Sequence, residues 1–249
     1  KSEYIIKGYK IGSKSIDISG FPFWINITIT DPMIYRMNNN LSWNWRGQEL
    51  RVSARPWHLN QIEVGFPGRH LATLKSQYKN IELDLKIRNS KIFLKWATDY
   101  NFPIKVKAKL EDILYSSAPV LGLGRRTRSI VFLVELKGVP PSSFASAALD
   151  SWRNQGGTLE IQDIFFEHGP IEIKGEGTIA LNKELRPLAA FNLEARGYLE
   201  LIDRLQSSTL ISPNDARLSK TILSMLAVSE KNRENYKSRK KVKFPLTVQ

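Results

Sequence analysis

The three histidines are the residues of this chain best suited to acid–base or metal chemistry, and their spacing fits neither use. His58, His70 and His168 each lack a second histidine three to five residues away, the spacing that zinc-binding helices need. Glu167 and His168 beside Asp163 could form an acid–base pair, but adjacent residues of a strand point to opposite faces. We therefore expect His168 to lie in a turn, and we predict neither a catalytic residue nor a metal site.

Phosphate-binding and nucleophile motifs are also incomplete. Gly122-Leu123-Gly124 begins a glycine-rich stretch, but Thr127 stands where a dinucleotide fingerprint has glycine, and no P-loop Lys-Ser/Thr follows. The chain has no Gly-x-Ser-x-Gly elbow and no cysteine, which excludes thiolate nucleophiles, thiolate metal ligands and disulfides. We expect a protein that is not an enzyme and binds no cofactor.

Basic residues are concentrated at the carboxy-terminal end. Of the net charge of +13, residues 217–249 contribute +7, with nine Lys or Arg against two Glu. Such a cluster attracts anionic surfaces, or it is a solvated segment that keeps the protein soluble. The residues that we predict to contact an anionic membrane surface are Lys237, Arg239, Lys240, Lys241 and Lys243. Nucleic acid is not expected as a partner, because the basic residues avoid the aromatic-rich strands.

Period-two alternation of apolar residues dominates the chain and predicts β-strands. Ile25, Ile27 and Ile29 alternate with polar residues, as do Ile81, Leu83, Leu85 and Ile87 and, further on, Ile104, Val106 and Ala108. Turns are expected at the breakers, which are Asp31-Pro32, Phe66-Pro67-Gly68, Asn89-Ser90, Phe102-Pro103 and residues 138–141. The pattern predicts a mainly β protein with a long, curved antiparallel meander sheet.

Three amphipathic helices are predicted to pack on the ends or the face of this sheet. The first spans residues 144–155 after Pro140-Pro141, the second lies near residues 198–206, and the third begins with Ser212 as N-cap and Pro213. The third repeats Leu218, Ile222, Met225 and Leu226 on one face and also has the character of an interfacial helix. We divide the chain into an antiparallel β region, residues 1–138, and a helix and meander region, residues 139–249, which together form one continuous unit.

The alternation requires that an apolar sheet face be covered by a second sheet, by helices or by acyl chains. The six tryptophans and eleven phenylalanines either pack in a core or line a groove for acyl chains and stand at its mouth. No run reaches the roughly 18 apolar residues that a membrane-spanning helix needs. We expect a groove lined by Phe23, Ile25, Ile27, Leu83, Leu85, Val106 and Leu193.

Several segments resemble an uncharacterised family of membrane-anchored Gram-negative envelope proteins, itself similar to AsmA-type proteins. They are the strand ladder of residues 156–197, the segment SGFPFWINITITDP of residues 19–32 with Trp45 and Pro56-Trp57, and the closing KFPLTVQ of residues 243–249. The resemblance implies a periplasmic location, a tether to the inner membrane through an amino-terminal segment absent from this chain, and lipid binding or transport. The alternative is an envelope scaffold that binds other proteins through its sheet edges.

Overall fold

A computed structural model describes residues 2–6, 9–36, 41–76, 80–96, 104–116, 124–141, 143, 145–229 and 240–248. The chain forms two compact units. Unit 1 comprises residues 1–95 and 108–117, and unit 2 comprises residues 96–107 and 118–249. The predicted antiparallel meander with three helices is confirmed in the described residues.

Unit 1 is built from antiparallel strands that follow one another along the chain. They are β1 (Ser2–Ile6), β2 (Tyr9–Ser13), β3 (Ser15–Ser19), β4 (Ile25–Thr30), β5 (Met33–Arg36), β6 (Leu41–Gly47), β7 (Glu49–Arg55), β8 (His58–Gly65), β9 (Gly68–Ser76), β10 (Asn80–Lys95) and most of β11 (Ile104–Tyr115). One set of strands pairs in the order β3, β4, β7, β8 and the end of β10. A second set of strands pairs in the order β1, β2, β5, β6, β9 and the start of β10.

A line of irregularities separates these two sets of strands and crosses unit 1. β2 and β3 are separated by Lys14 alone, β4 and β5 by Asp31-Pro32, and β6 and β7 by Gln48. Backbone hydrogen bonds follow this line: Lys14 N donates to Thr30 O (2.9 Å) and Asp31 N donates to Gln48 O (3.0 Å). Each pair of short strands is therefore one long strand with an irregularity in its middle. The register with the neighbouring strand continues across it, since Ser15 pairs with Thr30 on one side and Gly12 with Met33 on the other.

The structure corrects three of the turns expected from sequence. Asp31-Pro32 and Phe66-Pro67 lie inside long strands, and β10 runs without interruption through Asn89-Ser90. The isoleucines change parity across the irregularity at Asp31, whose φ of 49° is left-handed. Ile27 and Ile29 stand at odd positions before the irregularity, whereas Ile34 stands at an even one after it.

Unit 2 is a second meander, with the helices between its strands. Its elements after the first residues of β11 are β12 (Arg126–Lys137), α1 (Ser146–Asn154), β13 (Thr158–His168), β14 (Ile171–Leu181), β15 (Pro187–Arg196), α2 (Tyr198–Ser207), α3 (Pro213–Leu226), β16 (Ala227–Ser229) and β17 (Lys240–Val248). The strands pair antiparallel in the order β12, β13, β14, β15, β17 and β16.

The helices begin where sequence signals place them. Ser212 caps α3, since its Oγ accepts a hydrogen bond from Asp215 N at 3.1 Å and donates one to the Asp215 carboxylate at 2.7 Å. α2 packs on α3, and α3 lies against β17. Among the described helices none combines the length and the hydropathy needed to cross a bilayer.

Candidate functional site

The sheet of unit 2 has one apolar face. Cross-strand register aligns its side chains in rows, one being Val134, Ile161, Gly177, Phe191 and Leu246 and the next Phe132, Ile164, Gly175 and Leu193. A further row contains Ile130, Phe166, Ile173, Ala195 and Val242. We call these three rows the apolar face of unit 2.

Two glycines of β14 shape this face. A Cβ at Gly175 would lie 2.5 Å from Leu193 Cδ2, and a Cβ at Gly177 would overlap the ring of Phe191. The side chains of Phe191 and Leu193 therefore lie across β14, in space that any other residue would fill. Because β14 contributes no side chain at these two positions, the surface lies lower at the middle of the face than at its edges.

Burial is uneven across the apolar face. Val242 is almost fully buried, as are Ile202 of α2 and Ala216 of α3. In the other two rows, Phe132 of β12 is 38% exposed and Leu246 of β17 is 42% exposed. The face is therefore covered around Val242 and Ile161 and half-exposed at Phe132 and Leu246.

The opposite face of the same sheet is mainly polar, and several of its charged groups are paired. Gln162 Nε2 donates to Glu135 Oε2 at 2.6 Å, and Lys105 Nζ lies 3.5 Å from the same carboxylate. Thr178 Oγ1 donates to Glu160 at 2.7 Å, and this hydrogen bond lowers the pKa of Glu160. Two cavities, of about 580 and 520 Å³, open on this face, so neither is the apolar concavity expected from sequence.

A cavity of about 760 Å³ lies at the end of the sheet, beside the start of α2. Arg128 pairs with Glu167, and Arg204 Nη2 lies 2.8 Å from Glu200, so the charges of its lining neutralise one another. The hydroxyl of Tyr198 is buried and has no hydrogen-bond partner among the described residues, and burial raises the pKa of this phenol. The cavity holds paired charges and one phenol donor, an arrangement without a nucleophile.

The lipid-groove residues predicted from sequence are distributed over both units. Ile25 and Ile27 of β4 and Leu83 and Leu85 of β10 belong to unit 1, whereas Val106 and Leu193 belong to unit 2. Phe23 does not lie on a strand face, because it is in the turn before β4 and is 68% exposed. Only Leu193 is part of the apolar face of unit 2.

Two of the three histidines, His70 and His168, are buried and contact neighbouring residues of their sheet. His168 is the last residue of β13 rather than a turn residue as expected, and it is 5% exposed with its Nδ1 2.7 Å from Thr127 Oγ1. Its neighbour Glu167 faces the other side of the strand, towards Arg128. His70 is buried, stacks on Trp45 and has its Nε2 2.7 Å from Phe66 O. In the described residues no group of acidic or histidine side chains could hold a metal ion.

Part of the predicted basic cluster is built into the sheet. Lys237 and Arg239 lie outside the described residues, whereas Lys240, Lys241 and Lys243 belong to β17. Lys243 is exposed on the polar face, opposite Glu194 of β15. The strand follows from the alternation of KVKFPLT, in which Val242 is buried and its neighbours are charged.

Comparison with known proteins identifies one family. No curated protein and no solved structure matches the chain. The model of a family described as an uncharacterized protein conserved in bacteria (DUF2125) matches residues 6–99 and 103–249, which is almost the whole chain. The chain therefore belongs to this uncharacterised bacterial family.

Proposed function

We propose that this protein binds lipid acyl chains on the apolar face of unit 2. The observation that carries the proposal is that this face is continuous over five strands while Phe132 and Leu246 remain about 40% exposed. Monomeric proteins rarely expose continuous apolar patches of more than a few hundred Å² unless the patch binds something.

An acyl chain suits this surface better than a polar ligand does. Burial against apolar side chains contributes about 0.8 kcal/mol per methylene, so a chain laid along one row gains several kcal/mol without any hydrogen bond. The rows hold aliphatic and phenylalanine side chains and two glycines, and they offer a headgroup no charged partner. Selectivity on this face therefore comes from the acyl portion of the lipid.

Two adjacent residues of β17 provide a matched test. Leu246 lies on the apolar face, and Thr247 lies on the polar face opposite Ala190. Leu246→Glu should weaken binding of a fluorescent long-chain fatty acid about tenfold or more, because it places a carboxylate against the chain. Thr247→Glu adds the same charge one residue away and should leave binding unchanged. Equal loss in both variants would refute the proposed face.

We also propose that the protein acts in the periplasm at the inner membrane as a lipid-binding or lipid-transport protein. This location rests on the resemblance to AsmA-type and other envelope proteins. The basic residues 237–243 supply attraction to anionic headgroups, and α3 adds an exposed apolar stripe, since Leu218, Ile222 and Met225 are 60%, 47% and 80% exposed. Fractionation of cells that express the full-length gene product tests the location, which recovery with the cytoplasm would contradict.

A scaffold function is the second candidate, and β3 favours it. β3 pairs with β4 on one side, and Ile16 and Ile18 are 54% and 73% exposed. An exposed edge of this kind can accept a strand of another protein. Ile18→Pro at this edge should abolish capture of such a partner while fatty-acid binding persists. Loss of fatty-acid binding with partner capture retained would count against the scaffold function and favour the lipid function.

We propose further that the protein is not an enzyme. Support comes from the environments of His58, His70 and His168, which lie on three different strands. The hydroxyl that meets the His168 ring, Thr127 Oγ1 at 2.7 Å, belongs to a fully buried side chain that no substrate reaches. Replacing each by Ala should leave the cellular phenotype intact wherever the melting temperature is unchanged. Loss of function from His168→Ala in a folded protein would reveal an active site.

A further inference from the structure

Five large apolar side chains are exposed at one end of unit 1. The turn between β3 and β4 exposes Phe21, Phe23 and Trp24 by 84%, 68% and 40%. The turn between β7 and β8 exposes Trp57 by 58%, and the start of β8 exposes Leu59 by 57%. We call this group the aromatic tip. Four of its residues lie in the turns beyond the strand ends, and Leu59 is the second residue of β8.

The two turns are neighbours in space. Ile25, the first residue of β4, pairs with Ala54 near the end of β7, which brings the turns side by side. The guanidinium carbon of Arg55 lies 4.9 Å from the centroid of the Trp24 ring, so the second turn holds an aromatic residue of the first. Gln61 pairs with Lys95, which brings the end of β10 to the same end of the unit.

Within the described residues, the charged side chains at this end are positive. Residues 18–26, 53–62 and 94–95 contain Arg55 and Lys95 and no Asp or Glu. Along these strands the nearest carboxylates belong to Asp17 and Glu63, which precede and follow the turns by several residues. Exposed aromatic rings beside cations, without anions, match the headgroup region of an anionic bilayer, where Trp and Tyr rings are enriched.

We propose that the aromatic tip inserts into the headgroup–acyl boundary of an anionic phospholipid bilayer. Side chains that are up to 84% exposed touch little of their own protein, and a fluid bilayer accepts each of them singly, whereas a protein partner needs a pocket for each. Trp24 and Trp57 place their rings among the acyl chains with the indole N–H towards water. Arg55 and Lys95 remain at the phosphates. The tip belongs to unit 1 and is separate from the acyl-chain site of unit 2, so either proposal can fail alone.

The absence of cysteine allows a single-site test on the full chain. Phe21→Cys carries an environment-sensitive dye at the tip, and Val139→Cys carries it at a control turn residue of unit 2 that is 44% exposed. Vesicles of phosphatidylethanolamine and phosphatidylglycerol should shift the emission of the dye at position 21 to the blue, and brominated acyl chains should quench it there. The dye at position 139 should report neither change.

Variants of the tip should weaken vesicle binding in two separable ways. Phe21→Ser, Phe23→Ser and Trp57→Ser together should lower partition about 100-fold, taking about 1 kcal/mol for each partly buried ring. Arg55→Gln with Lys95→Gln should lower it about 30-fold at low salt and much less at high salt. The control Val139→Ser should have no effect, and all variants should retain fatty-acid binding.

Three results would overturn the proposal. The first is co-sedimentation with vesicles without any change of the dye at position 21. The second is the same change at positions 21 and 139. The third is a change at position 21 with periplasmic extract but not with vesicles, which would assign the tip to a protein partner.

Discussion

Trp152 packs α1 against the sheet of unit 2, and its contacts allow the effect of a substitution on stability to be predicted. It is 8% exposed, and its Nε1 donates to Lys137 O at 2.8 Å, at the end of β12. The ring lies on Gly157, where a Cβ would overlap three ring atoms. Gly157 itself has no left-handed backbone conformation, so an alanine there would clash with Trp152 rather than strain the chain.

The magnitudes follow from these contacts. Trp152→Ala should cost about 3 to 5 kcal/mol, the range for removing a large buried aromatic side chain. Trp152→Phe retains most of the ring but leaves Lys137 O without its donor, and it should cost about 1 to 2 kcal/mol. Gly157→Ala should cost about 1 to 3 kcal/mol through overpacking. In the Trp152→Ala background the same Gly157→Ala change has room and should cost less than about 0.5 kcal/mol.

Urea unfolding followed by circular dichroism measures this double-mutant cycle. With an m-value of about 2 kcal/mol/M, Trp152→Ala should move the midpoint by about 2 M. Additive effects of the two substitutions would refute the packing of the Trp152 ring on Gly157. Trp152→Phe as costly as Trp152→Ala would show that the hydrogen bond, rather than burial, holds α1.

Three further predictions concern pH, charge and capping. Burial lowers the pKa of His70, so on acidification the unfolded chain binds a proton at this residue before the folded chain does. Unit 1 should therefore lose stability as pH falls below about 6.5. Melting temperatures measured against pH should show a flatter dependence for His70→Gln and an unchanged one for the exposed control His58→Gln. Replacing the basic residues Lys237, Arg239, Lys240, Lys241 and Lys243 by Gln should strongly weaken salt-sensitive sedimentation with anionic liposomes and leave only the part that Arg55 and Lys95 contribute. Binding of the unaltered chain that is indifferent to salt would contradict this prediction. Ser212→Ala should destabilise α3 by about 1 kcal/mol in thermal unfolding, and Ser208→Ala, which caps no helix start, should not.

Local periodicity predicts most of the strands and the three helices. Ile25, Ile27 and Ile29 alternate as a strand must, and Ser212-Pro213 begins a helix as predicted. A Pro, Gly or Asn residue can either reverse the chain or cause an irregularity inside a strand. Which of the two occurs depends on the pairing with the neighbouring strands, and no local sequence pattern contains that information. The one available signal at Asp31-Pro32 is the parity change of the apolar residues, from Ile29 to Ile34.

The candidate site was less predictable for the same reason. Leu193 was correctly seen as an apolar strand residue, but the row that it shares with Phe132 depends on pairing across four strands. The exposure of Phe23 follows from its place in a turn, although its alternation with Ile25 suggested a strand. The role of Gly175 and Gly177 beneath Leu193 and Phe191 becomes visible only once the register is known.

Native mass spectrometry of the protein purified from a Gram-negative host tests the central claim most directly, namely that the apolar face of unit 2 binds lipid. The account predicts that the 28.5 kDa chain carries an added mass, identified after extraction as an acyl lipid. Leu246→Glu should lose this mass and Thr247→Glu should retain it. A bare chain in every preparation, or a lipid retained equally by both variants, would contradict the account.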